Sequence, residues 1–282
     1  MPGTLFVVAT PIGNLEDITV RALRVLRDVS VIAAEDTRRT GHLLVRHAIT
    51  TPTTSLHEHN EDRKSASLVA RLLQGDDIAL VSDAGTPTVS DPGARLIREA
   101  IDAGLRVEPI PGPSAVLTAL AASGLPTETF SFLGFPPTRS KDRKLWFNRL
   151  AYLAGTVVFF EAPHRIRQTL EELLRTVGNC QVAVGRELTK AHEELVRGPI
   201  KSVLETLKSP IGEFTVVAAI GQTTEHSAPA PPGPQDLMAE FAVITGSGQL
   251  TRRRAVASLA RKYGLAPNLV YEALEKVKKS VI

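Results

Sequence analysis

Apolar positions along the chain fall into short β-rich runs separated by stretches of helical period. Leu5 to Ala9 is the first run, followed by a turn-rich stretch at Pro11 to Asn14. Val20, Leu23 and Leu26 then recur at helical spacing, and Val29 to Ala34 reads as a buried strand. The pattern predicts a helix over Ser65 to Gln74, a strand over Asp77 to Val81 and a helix over Pro92 to Ala103. A strand over Val107 to Ile110 and a helix over Ser114 to Ala122 follow. Asp91-Pro92 looks like a helix start, a capping carboxylate followed by proline at the first helical position. Strands alternating with helices predict an α/β fold, a parallel or mixed sheet with helices on its faces.

Residues 123–128 read as a connection to a second α/β series. Its strands are expected near Phe130 to Leu133, Thr156 to Phe160, Gln181 to Arg186 and Phe214 to Ile220. Its helices are expected around Asp142 to Tyr152, Pro163 to Thr176 and Lys201 to Leu207. Ser227 to Pro234 is dominated by proline and alanine, the composition of a semi-rigid linker. Three helix-like segments come after it. Two of them, separated by the turn Lys262-Tyr263-Gly264-Leu265, suggest a helix-turn-helix. The expected organisation is a lobe over 1–122, a second over 123–226, a linker over 227–234 and a small all-α domain over 235–282.

Composition narrows the class. Hydrophobic residues make up 43% and charged residues 22%, ordinary for a globular chain with a real core. No apolar run is long enough for a transmembrane helix, and the N-terminus lacks the features of a secretory signal. Cys180 is the single cysteine, so neither an internal disulfide nor a cysteine-clustered metal site is expected. These features point to a cytoplasmic protein without a metal. The net charge of +3 is unevenly spread. Residues 251–282 carry eight lysines and arginines against two glutamates, a net +6, which leaves −3 for the remainder. A basic tail behind an acidic body suggests a polyanionic partner, although a solvated helix face has the same composition. Arg252, Arg253 and Arg254 begin one tail helix and Arg261 and Lys262 end it, placing guanidinium groups where they suit phosphate. A small bundle docked on the body is the alternative.

Three turn-rich segments each follow an expected strand: Thr10 to Leu15, Ser82 to Pro87 and Pro111 to Ala115. Ligands in open α/β sheets bind beyond the carboxyl ends of the strands, so three such loops at one edge make a plausible cofactor cleft. None of the three is a dinucleotide fingerprint or a P-loop. Asp83 either accepts hydrogen bonds from a ligand or closes its own turn. Ser114 fits a helix N-cap, and the free N–H groups there also suit a carboxylate.

These residues carry a family resemblance. The segment Val7 to Leu15, the stretch Glu35-Asp36-Thr37-Arg38, the loop Val81 to Gly93 and Pro111-Gly112-Pro113-Ser114-Ala115 resemble the tetrapyrrole methylase superfamily. Phe160-Glu161-Ala162-Pro163-His164-Arg165, Arg186-Glu187-Leu188-Thr189-Lys190 and His192-Glu193-Glu194 resemble the branch that methylates small-subunit ribosomal RNA. The resemblance runs from about residue 4 to residue 222. It implies two α/β lobes with S-adenosylmethionine in the cleft between them, usually in a homodimer. It also implies 2′-O-methylation of a cytidine in the decoding centre of 16S rRNA, within the small ribosomal subunit. Cofactor contacts are then expected at Pro11, Ile12, Asp83, Ala84, Gly85, Thr86, Ser114 and Ala115, and in the second lobe at Phe160, Leu188 and Phe214. Porphyrin-methylating relatives usually carry a Gly-x-Gly-x-Gly loop after the first strand. Here that stretch is Ala9-Thr10-Pro11-Ile12-Gly13-Asn14, which speaks against a tetrapyrrole substrate.

Methyl transfer to a hydroxyl is an in-line displacement that also requires removal of a proton. Candidates for that chemistry are Glu35, Asp36, Arg38, Glu161, His164, Arg186, Glu187, Lys190 and Glu193, residue types that equally form structural ion pairs. Two other readings stay open at this point. One is methylation of a tetrapyrrole or other small molecule, against which the basic tail counts. The other is a ligand-sensing nucleic-acid-binding regulator, against which the cofactor-like loops count.

Overall fold

The computed structural model describes residues 1–207, 211–221 and 267–279, together with Leu237, Met238, Phe241, Thr245, Ala255, Val256, Leu259 and Ala260. Residues 1–222 form one compact unit and residues 223–282 another.

The larger unit holds two five-stranded sheets. Strands β1 (Thr4–Val8), β2 (Val31–Ala34), β3 (Thr53–Ser55), β4 (Ile78–Val81) and β5 (Arg106–Ile110) form the first. Its order is β3-β2-β4-β1-β5 and every pairing is parallel. Its helices are α1 (Val20–Asp28), α2 (Thr37–Arg46), α3 (Glu61–Leu73) and α4 (Ala94–Asp102). One face packs on α1 and α2 through Val25, Leu26, Leu43 and Leu44. The other packs on α3 and α4 through Leu68, Leu72, Leu96 and Ala100. Every residue of β2 and β4 is buried, as expected of strands covered on both faces.

α5 (Ala115–Ser123) leads into the second sheet, built from β6 (Phe130–Phe132), β7 (Gly155–Glu161), β8 (Gln181–Arg186), β9 (Glu194–Pro199) and β10 (Phe214–Ile220). The order is β6-β7-β10-β8-β9, with β6 parallel to β7 and the other pairs antiparallel. α6 (Ser140–Leu150), α7 (Ile166–Val177) and α8 (Ile200–Thr206) cover one face around Phe159, Leu170 and Val216. On the other face, Val116, Ala119 and Leu120 of α5 pack with Val158, Ala183 and Val217, and Ile12 from the first sheet's loop joins the same cluster. That shared core fixes the two sheets against each other.

The start of α4 corrects the sequence reading. The helix begins at Ala94, with Gly93 at its N-cap in left-handed backbone (φ 115°) rather than Asp91. Its first N–H groups are satisfied from α3: Glu61 Oε1 accepts from the N–H of Gly93 and of Arg95, both at 3.0 Å. A carboxylate near a helix N-terminus also suits its dipole. Asp91 and Pro92 are thereby left in the loop.

In the smaller unit, Leu237, Phe241, Ala255, Val256, Leu259, Ala260, Val270 and Leu274 form a separate apolar core. The helix Pro267–Lys279 supplies the last two. The linker over 227–234 and the tail cations Arg252, Arg253, Arg254, Arg261 and Lys262 lie outside the described residues. Among the described residues no helix is long and apolar enough to cross a membrane.

Candidate active site

A cleft of about 370 Å³ opens between the carboxyl ends of the first sheet's strands and the second sheet. That volume is in the range of small-molecule sites. Hydrogen bonds knit the strand-end loops into its floor. Thr10 and Gly85 exchange backbone bonds, each at 2.9 Å, forming an isolated antiparallel bridge between the loops after β1 and β4. Thr86 Oγ1 donates to the carbonyl of Pro113, joining the loop after β5. Gly85 takes φ 80°, backbone that glycine adopts without strain. Ser114 caps α5, its hydroxyl accepting from the N–H of Leu117, and thereby aims the helix N-terminus at the cleft that Ser114 and Ala115 line.

Of the positions expected to contact a cofactor, all but Pro11 line this cleft: Ile12, Asp83, Ala84, Gly85, Thr86, Ser114, Ala115, Phe160, Leu188 and Phe214. Pro11 is buried and does not line it. Phe160 makes edge and tilted contacts with Phe132 and Phe135, at 5.0 and 5.3 Å between centroids, and Phe160 and Phe135 both line the cleft. Other parts of the lining are polar and acidic. Glu35, Asp83 and Asp91 belong to them, and among the described residues Arg39 is the one cation in the lining. Asp83 does not close its own turn. Its Oδ1 accepts from the N–H of Asp36 at 3.0 Å, and its Oδ2 pairs with Arg39 Nη1 at 3.2 Å. Glu35 Oε2 accepts from the N–H of Asp83 at 3.3 Å.

Burial raises the pKa of Glu35, with the Asp83 charge adding to it against the Asp83 N–H bond. Asp91 is pushed up to about 6, first by burial and then by the negative charge of Glu35. The loop carrying Asp91 is locally strained, since Thr88 and Ser90 hold φ of 71° and 70°. Sequence reasoning missed Arg39, Ser90, Asp91 and Phe135. The Asp-Pro pair hid Asp91 as a helix cap, and left-handed backbone at threonine and serine has no local sequence signal.

The proton-transfer candidates separate. Glu35 and Glu161 line the cleft, whereas Asp36, Arg38, His164, Arg186, Glu187, Lys190 and Glu193 do not. Asp36 caps α2 and pairs with Arg38, whose hydrogen bond holds its carboxyl well below the usual range. Arg186 pairs with Glu194 at 3.1 Å. Glu187 accepts from the N–H of Glu213, which lowers its pKa, and also binds Lys190 Nζ at 3.0 Å. Burial works against the Lys190 charge, yet Glu187 and Glu213 hold its pKa above the ordinary lysine value. The Glu161 side chain is fully buried and engaged on every side. It meets Arg165 Nε at 3.2 Å, Arg143 Nη1 at 3.7 Å, the Thr169 hydroxyl and the N–H of Ala162. Arg165 also donates to the carbonyl of Pro136, tying the loop of Phe135 to the same cluster.

The two sheets meet closely at one more point. A Cβ on Gly13 would stand 2.4 Å from Lys190 Cγ and 2.9 Å from the Leu188 carbonyl oxygen. Asn14 N–H donates to Thr189 Oγ1 at 3.1 Å. The loop from 187 to 190 accommodates this approach with left-handed Glu187 and Thr189 (φ 50° and 66°). Among the described residues no group of three or more His, Cys, Asp or Glu side chains is arranged to hold a metal ion.

Residues 4–204 match the family described as Tetrapyrrole (Corrin/Porphyrin) Methylases. A protein of Halalkalibacterium halodurans named Ribosomal RNA small subunit methyltransferase I is 47% identical over 217 residues, 76% of this chain and 75% of that one. A relative of the same name from Escherichia coli O157:H7 is 40% identical over 280 residues, 97% of this chain and 96% of that one. Among solved structures, uroporphyrin-III C-methyl transferase from Thermus thermophilus complexed with S-adenyl homocysteine superposes with a TM-score of 0.55. It is 17% identical and covers 77% of this chain and 97% of its own, a likeness of fold.

Proposed function

The chain belongs to the tetrapyrrole methylase family, alongside the relatives named ribosomal RNA small subunit methyltransferase I, and from that premise we propose that it methylates ribosomal RNA with S-adenosylmethionine. The finer reading is transfer to the 2′-hydroxyl of a cytidine in the decoding centre of 16S rRNA, by a cytoplasmic homodimer. One observation carries the cofactor: the cleft holds Glu35, Asp83 and Asp91, among the described residues Arg39 is the one cation lining it, and burial raises two of those carboxylates. Such a site favours a ligand that brings positive charge and hydroxyl donors. Ser114 and the first turn of α5 suit a carboxylate, and Ile12, Leu188 and Phe214 offer apolar surface for a flat ring. The donor set therefore fits a sulfonium nucleoside bearing an amino-acid tail.

When bound, S-adenosylmethionine supplies an electrophilic methyl group. The chain's residues orient the acceptor, exclude water and take up one proton. Glu35 and Asp91, with raised pKa values, are better matched to that proton than Glu161, whose oxygens are already held by Arg143, Arg165 and Thr169. The test is tritiated methyl transfer to small ribosomal subunits, free 16S rRNA and a porphyrin precursor in parallel. Label in RNA is expected, and label in the porphyrin alone would overturn the reading. Sedimentation equilibrium checks the homodimer, against which a 30.4 kDa species would count.

A further inference from the structure

We propose that the outward face of α2 is a docking surface for the substrate's phosphodiester backbone, leading RNA into the cleft. The inference rests on the RNA-methylating reading above. α2 buries Thr40, Leu43 and Leu44 and exposes Arg38, Arg39, His42, Val45 and Arg46. Spacings of three and four place these exposed positions on one side of the helix. The row starts at the cleft, because Arg39 lines it and the N-cap Asp36 is bonded to Asp83. At the far end Arg27 of α1 donates to the carbonyl of His47 at 3.3 Å and adds another guanidinium. A helix of this length carries the row about 15 Å from the cleft.

The placement runs against what the helix itself prefers. Cations in a first turn oppose the macrodipole, yet Arg38 and Arg39 both stand there. Arg38 shares Asp36 and Arg39 shares Asp83, while among the described residues neither His42 nor Arg46 has an ion-pair partner. The local fold thus leaves basic capacity on an exposed face that ends at the acidic cleft. Guanidinium forks match phosphate oxygens, and such contacts position nucleic acid without reading its sequence. The net −3 of residues 1–250 conceals this local basic row.

The test uses the full chain and residues outside the cleft. His42→Ala/Arg46→Ala is compared with wild type and with Arg46→Lys, each checked by thermal melting. The double variant is expected to raise the KM for RNA about tenfold, with kcat within about twofold. The slope of log affinity against log salt should flatten by about one, and Arg46→Lys should stay near wild type. A folded double variant with unchanged KM and unchanged salt slope overturns the docking surface. A wild-type protein that methylates no RNA in the same assay overturns the functional reading first, and this surface with it.

Discussion

Asp83 accepts a hydrogen bond from the backbone N–H of Asp36 at 3.0 Å, which ties the loop after β4 to the loop after β2. The same carboxylate pairs with Arg39 Nη1 at 3.2 Å. A structural role and the proposed ligand role therefore fall on one side chain, and two substitutions separate them. Asp83→Asn keeps an oxygen for Asp36 and removes the charge, so stability should fall by no more than about 1 kcal/mol. Affinity for S-adenosylmethionine should nevertheless fall about tenfold, a loss of ~1.4 kcal/mol. Asp83→Ala removes both functions and should also destabilise by about 1–2 kcal/mol. Calorimetric titration in EDTA, paired with thermal melts, checks this. Melting changes without a change in affinity would assign Asp83 to the fold alone.

The raised pKa of Asp91 has a defined pH signature. Its carboxyl ordinarily titrates near 3.8 and is pushed to about 6 in the folded chain. Below both values the group is protonated in either state. As pH rises the unfolded chain releases the proton first, so this group's stabilising contribution is lost between about pH 4 and 6. Asp91→Asn should remove that slope and stabilise the protein at pH 7 by roughly 1 kcal/mol once solvent screening is allowed for. A cationic ligand would pull the same pKa down. Binding near pH 6 should therefore release protons, visible as heats that depend on the buffer's ionisation enthalpy. Buffer-independent heats would remove Asp91 from the ligand's surroundings.

Glu161 lines the cleft but is held like a structural residue. Removing one partner of a buried ion cluster typically costs about 3–5 kcal/mol. Glu161→Ala should therefore unfold at markedly lower temperature, because Arg143 and Arg165 lose a shared carboxylate. Glu161→Gln should be milder in stability and retain much of the kcat. A Gln variant that melts like wild type yet loses nearly all kcat would make Glu161 a catalytic residue.

The contrast between these carboxylates marks what could be read from the chain. Val31–Ala34, Ile78–Val81 and Phe214–Ile220 are apolar runs because both their faces are covered, and they were legible for that reason. β3 and β9 lie at sheet edges and carry at most a two-residue apolar run, being Thr-Thr-Ser and Glu-Leu-Val-Arg-Gly-Pro, so the pattern passed over them. α2 was read only as the motif at its start. The strand-end loops announced the cleft through glycine and proline, whereas the cap that Glu61 provides to α4 comes from a residue distant in sequence. That distance is why Asp91 passed for a cap and its place in the cleft went unseen.

Gly13 tests the closeness of the two sheets. Alanine there would meet Lys190 Cγ, which can move, and the Leu188 carbonyl and Thr189 Oγ1, which are held. The strain should cost about 1–3 kcal/mol, in line with overpacked sites. Because Ile12 and Leu188 both line the cleft, the same displacement should weaken cofactor binding. Gly13→Ala is expected to lower the melting temperature and raise the Kd together. A wild-type Kd in a destabilised variant would show that the cleft tolerates separation of the two loops.

The tail should recruit RNA rather than take part in the chemistry. Its charge is +6 over residues 251–282, and its core of Leu237, Phe241, Leu259 and Leu274 is its own. Among the described residues, those that line the cleft all belong to the larger unit. Deleting residues 229–282 should therefore leave affinity for S-adenosylmethionine nearly unchanged, while the concentration of ribosomal substrate needed for activity rises. Much of the loss should be electrostatic, since phosphate contacts release counterions and weaken with salt. Replacing Arg252, Arg253 and Arg254 with alanine should flatten the salt dependence of RNA binding by about two to three in slope. The truncated chain should keep a residual salt dependence of its own if Arg38, His42 and Arg46 also meet phosphate. Binding of the truncated chain to the small subunit as tight as that of the full chain at low salt would end the recruiting role, and the tail would then be a packing or dimerisation element.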